Sequence, residues 1–110
     1  MSDLLSKKCI PCSGGVPPLT SAQIAELHPQ VPGWEVVLGH HLHRVFGFDD
    51  FVSALAFVNR MGEVAEAEGH HPNISFTWGR VEVEIWTHKI DGLTESDFVL
   101  AAKIDALLDG

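Results

Sequence analysis

The 110-residue sequence is poor in cysteine and in positive charge. Seven lysines and arginines stand against fifteen aspartates and glutamates, giving a formal net charge of −8. Such a balance repels phosphate backbones and argues against direct nucleic-acid binding. No apolar run approaches the roughly 20 residues that a membrane helix needs. The opening stretch "MSDLLSKKCIPC" also lacks the continuous apolar core of a secretory signal. The expected setting is the cytoplasm, with no membrane contact. Only two cysteines occur, Cys9 and Cys12 in "CIPC". A redox reading needs a βαβ context that this segment lacks, and a zinc reading needs a second pair of ligands. The pair is therefore read as reduced thiols in a mobile tail.

Internal repeats and low-complexity tracts are absent too. A 45% hydrophobic content in a chain of this length suits one compact domain with a single core. Residues 1–19 read as a lead-in that ends at the punctuating "SGGVPPL", and residues 20–110 as the domain. "TSAQIAELH" predicts a short helix, with Thr20 and Gln23 spaced as a capping box. "GWEVVLGHHLHRVFGF" predicts a hairpin turning near Gly39, with Trp34, Val36 and Leu38 on one side. A second helix opens at Asp49 or Asp50 and closes at Gly69, its apolar stripe formed by Phe51, Ala54, Leu55, Val58, Met61 and Ala65. "NISFTW" and "VEVEIWTH" alternate as two strands joined by a tight turn at Gly79–Arg80, with Val81, Val83 and Ile85 facing inward. Thr94 caps a last helix striped by Leu100, Ile104, Leu107 and Leu108. The expected fold is α+β: a four-stranded antiparallel sheet with helices packed on one face, in the order α-β-β-α-β-β-α.

Histidine is abundant, with seven residues, and clustered. His40, His41 and His43 fall in the first hairpin and read as polar turn and exposed strand positions rather than as metal ligands. The stretch "EAEGHHPN" differs. Pro72 restricts His71 to extended geometry, and Glu66 lies one helical turn before His70. Pairing residue 78 with residue 81 brings residues 71–73 beside 86–88, so that His88 returns to His70 and His71. Three imidazoles and a carboxylate at one rim of a sheet admit acid–base chemistry, a zinc site or a purely structural cap. The residues alone leave all three open.

One resemblance narrows them. Glu66, His70-His71-Pro72, Trp78, His88 and Asp97 stand at the spacings of the pterin-4a-carbinolamine dehydratase family, also described as the dimerisation cofactor of a homeodomain transcription factor. "PGWE", "FDDF" and "THKIDGLTESDF" are similar to the family as well, and the likeness covers residues 20 to 108. The resemblance implies a hydro-lyase that removes water from a 4a-hydroxytetrahydropterin to give the quinonoid dihydropterin, in tetrahydrobiopterin recycling. It implies no metal and no cofactor. His70 and His88 would be the acid–base pair, His71 would orient the pterin or share proton transfer, and Glu66 would hold His70 or tune its charge. Groups around Pro72, Thr87 and Lys89 would bind the pterin's amide edge. Trp78 and Asp97 would support the site, although packing and helix capping also account for them. A homodimer or homotetramer is expected, with an aromatic amino acid hydroxylase as functional associate. The rival readings are a non-enzymatic coactivator module and a zinc protein built on His70, His71 and His88.

Overall fold

The computed structural model describes residues 4–7 and 17–108, so the reading of Cys9 and Cys12 lies outside the described residues. Helix α1 (Ser21–Leu27) precedes strands β1 (Glu35–Val37) and β2 (His41–Gly47). Helix α2 (Phe51–Glu68) leads to β3 (Asn73–Thr77) and β4 (Arg80–Ile85), and α3 (Glu95–Ala106) ends the domain. This is the expected α+β order. The sheet runs β1-β2-β4-β3 with every neighbouring pair antiparallel. Strands β2 and β3 are therefore parallel to each other, separated by β4 and connected through α2, a split βαβ arrangement.

Local chemistry fixes the helix ends. At α1 the Gln23 amide donates to the Thr20 hydroxyl at 3.2 Å, and the Thr20 amide to the Gln23 side chain at 2.8 Å, the reciprocal capping box. At α2 the Ser53 amide donates to Asp50 at 2.7 Å, which holds the Asp50 carboxyl below its ordinary pKa. Gly69 closes α2 in the left-handed region with φ 65°, the conformation glycine enters without a Cβ penalty.

The core lies between one sheet face and the helices. Leu42 and Phe46 of β2 and Val81, Val83 and Ile85 of β4 are buried against Ala54, Phe57 and Met61 of α2 and against α3. Helix α3 is buried from Ser96 to Ala102, so it is wrapped rather than striped. Leu108 at its end is exposed, unlike the expected stripe position. Leu4, within the expected lead-in, is also buried in this core. The opposite sheet face carries His41, His43, Glu82 and Glu84. His43 lies 2.7 Å from Glu82 and His41 3.5 Å from Glu84. The His43 hydrogen bond holds the Glu82 carboxyl below its ordinary pKa.

Three expectations need correction. The buried line of α2 passes through Phe57, whereas Phe51 and Leu55 are exposed. Phase decides this: 54, 57, 61 and 65 share one side of a 3.6-residue helix, and Phe51 stacks instead on Phe76 of β3, with ring centroids 5.6 Å apart. The second hairpin turns at Trp78–Gly79, because Thr77 pairs with Arg80. A Cβ on Gly79 would stand 2.7 Å from the Phe48 carbonyl oxygen, which explains the glycine at that close approach. The resulting register, extended past the strand ends, sets residue 71 against 86 rather than 88.

Leu38 is the third correction. It belongs to the turn, not to the inward face of β1, and is 95% exposed. Leu38 and Gly39 both have positive φ, 54° and 65°, the signs a primed hairpin turn demands. A leucine there carries the Cβ penalty of the left-handed region. Leu38→Asn should raise stability by about 1 kcal/mol, read as a higher denaturant midpoint at unchanged slope. A lower midpoint would contradict this turn geometry.

Candidate active site

The site forms where two chain reversals meet at one end of the sheet. The first joins α2 to β3. Gly69 ends the helix, the His70 amide donates back to the Ala65 carbonyl at 3.1 Å, and Pro72 directs the chain into β3. The second joins β4 to α3. Thr87 and Gly92 exchange backbone bonds of 2.9 and 3.4 Å, closing a loop in which His88–Ile90 make one 3-10 turn.

Asp97 ties the two reversals together. It is fully buried, at the third position of α3. One carboxylate oxygen accepts from the Thr94 amide at 2.8 Å and from the Thr87 hydroxyl at 2.9 Å. The other lies 2.5 Å from His70 Nε2. A carboxylate only accepts, so Nε2 carries the proton it donates, and in the neutral ring Nδ1 is left as the free base. Every buried side-chain polar atom among the described residues has a hydrogen-bond partner.

The expected site residues separate into three groups. His70, Asp97 and Thr87 share one network, and His88 follows Thr87 directly on its exposed side with Lys89 next to it. His71 pairs with Glu66 at 2.8 Å, both largely exposed. This corrects the expected Glu66–His70 contact. Gly69 breaks the helical path, so His70 is delivered toward α3, and His71 folds back over the last helical turn. Trp78 does not join the corner. It stands 64% exposed at the β3–β4 turn, and the extended β3 separates it from Pro72 by about 20 Å.

Three rings missed by the sequence reading pack here. Trp86 has its ring centroid 4.4 Å from His88, 5.4 Å from His40 and 5.7 Å from His41. The signal was the β2–β4 register: Leu42 pairs with Ile85, and one further step sets His41 opposite Trp86. Among the described residues no group of three or more His, Cys, Asp or Glu side chains is placed to hold a metal ion.

The family model for pterin 4 alpha carbinolamine dehydratase matches residues 17–107. The chain belongs to this family. Membership makes it an enzyme of the hydro-lyase class. A relative from Rubrobacter xylanophilus, named "Putative pterin-4-alpha-carbinolamine dehydratase", is 61% identical over 97% of this chain and 100% of its own length. One of the same name from Alkaliphilus metalliredigens is 51% identical over 96% of each chain. The crystal structure of a transcriptional coactivator/pterin dehydratase from Brucella melitensis superposes with a TM-score of 0.77 at 34% identity, covering 82% of this chain and 97% of that one. A pterin dehydratase-like protein described as a RuBisCO assembly factor superposes with a TM-score of 0.54 at 28% identity, covering 61% of this chain and 77% of its own.

In this dehydratase-family chain the buried carboxylate is the member of the corner whose loss leaves most unpaired. Asp97→Ala removes the acceptor of the Thr94 amide, the Thr87 hydroxyl and His70 together. It should destabilise the fold by about 3 kcal/mol. Urea unfolding checks this, and a loss below about 1 kcal/mol would show that the network is dispensable.

Proposed function

We propose that the chain dehydrates a 4a-hydroxytetrahydropterin to the quinonoid dihydropterin by histidine acid–base catalysis. The observation that carries this reading is the Asp97 network, which holds His70 in one tautomer while His88 stands on the adjoining loop. Breaking the C4a–O bond releases water once a proton reaches the leaving oxygen, and loss of the N5 proton completes the C4a=N5 double bond. Two imidazoles in different environments can divide these tasks. His70, a fixed base through Nδ1, removes the N5 proton. The exposed His88 delivers a proton to the hydroxyl and is recharged from solvent. His71, held loosely by Glu66, orients the pterin or relays a proton. Backbone groups at Pro72 and from Thr87 to Lys89 receive the amide edge, and Trp78 has no part in the site of its own protomer.

This activity belongs to tetrahydrobiopterin recycling beside an aromatic amino acid hydroxylase, in the cytoplasm. The exposed backbone edge of β3 and the exposed Phe51, Val52 and Leu55 of α2 favour a homodimer or homotetramer that covers them. Among the described residues no helix is long and apolar enough to cross a membrane.

The test is ultraviolet-monitored dehydration of freshly generated 4a-hydroxytetrahydropterin, with and without chelator. Wild type should accelerate it regardless of chelator. His70→Ala and His88→Ala should each lower kcat by about 100-fold. A folded wild type that gives no acceleration would overturn the reading and favour a protein-binding role.

A further inference from the structure

The loop that carries His88, residues 87 to 92, is held at both ends. Thr87 is bonded to Asp97. At the other end the Leu19 amide donates to the Leu93 carbonyl at 2.8 Å, and Leu93 is fully buried. Neither restraint reaches the imidazole of His88, which projects from the exposed turn between them. What packs against that ring is the Trp86 indole, in an edge-to-face arrangement with planes inclined at 62° and centroids 4.4 Å apart. Trp86 is in turn backed by His40 and His41.

A second contact reaches the far end of the same turn. Asp91, the residue that ends the 3-10 turn begun by His88, has φ 51° and ψ 49°, a left-handed conformation uncommon outside glycine. Its carboxylate accepts from His40 Nε2 at 2.7 Å. His40 reaches it because the Leu38–Gly39 turn, with its positive φ values, brings the chain back at once. The His40 and His41 Nδ1 atoms are 3.1 Å apart, which links this anchor to β2. The turn at residues 38–39 and the left-handed Asp91 thus meet at His40, and His40 and His88 both pack on Trp86.

We propose that Trp86 and the His40–Asp91 pair are positioning residues for His88: the indole sets the plane of its ring and His40 fixes the turn that bears it. The first hairpin then belongs to the site through its turn, although it contributes no group to the chemistry. The inference rests on the dehydratase reading, in which His88 donates the proton. That donation needs the ring aimed at the leaving oxygen, and a misplacement of about 1 Å can cost two orders of magnitude in rate.

The test pairs disruptive and conservative changes in the full chain. Asp91→Gly deletes the carboxylate yet suits the left-handed backbone, so its unfolding midpoint should not fall. Trp86→Leu removes the indole ring. Each should lower kcat about tenfold with KM nearly constant. Asp91→Asn and Trp86→Phe, which keep an acceptor and an aromatic ring, should recover most of it. Proton NMR supplies a readout independent of turnover: the His88 ring protons should be displaced by the indole ring current in wild type and return to ordinary positions in Trp86→Leu. An active wild type whose kcat survives both Asp91→Gly and Trp86→Leu would overturn the inference while leaving the dehydratase reading intact. So would His88 ring protons that do not respond to Trp86→Leu. An inactive wild type would overturn the dehydratase reading, and the role proposed for these residues with it.

Discussion

A single buried carboxylate organises this molecule. Asp97 closes the start of α3, receives the hydroxyl of Thr87 at the end of the sheet, and faces His70 at the exit of α2. Those are the three structural parts whose meeting makes the corner. Taking a carboxylate fully out of water is costly unless its oxygens are satisfied. Each oxygen here has a partner, so the burial is tolerated, and the cost of losing any one partner keeps the arrangement singular. His70 is therefore not an imidazole that happens to lie near a carboxylate. Its ring orientation and its tautomer follow from the capping chemistry of a helix.

The remainder of the fold places two reversals at one end of β4. Because β4 lies between β2 and β3, both flanking strands deliver their ends to its terminus: β3 brings His71 and Pro72, and β2 brings His41 and the turn before it. Helices cover the other face, so this end of the sheet is a rim with one buried wall and one open side. His70 belongs to the wall. His71, His88 and Lys89 belong to the open side, where solvent can exchange protons. That division of environments is what acid–base work by chemically identical side chains requires.

Much of this could be read from residues. Apolar alternation in "VEVEI" and the caps at Thr20 and Thr94 are explicit, and the second helix's cap is narrowed to Asp49 or Asp50, because caps and strand faces are local patterns. Antiparallel pairing alone brings the end of β4 to the start of β3, although the register sets residue 71 against 86 rather than 88. The partners of the corner's histidines could not be read this way. Glu66 stands at helical spacing from His70, but Gly69 ends the helix between them, and the pairing passes to His71. Asp97 was legible as a cap and as a motif position. That one carboxylate serves both purposes is tertiary information, since it depends on α3 docking against the exit of α2. The ring cluster around Trp86 needed the β2–β4 adjacency, which chain order does not fix. Phe57 lay hidden beside Val58, where a one-position phase difference decides which side chain faces the core.

The most direct test of Asp97 as the organising group is the protonation pattern of His70, observed by proton–nitrogen NMR of the imidazole near neutral pH. The account requires a proton on Nε2, strongly deshielded and slow to exchange because it lies in a bond to a buried carboxylate. A proton on Nδ1 with Nε2 bare, or an Nε2 proton lost rapidly to solvent, would contradict it.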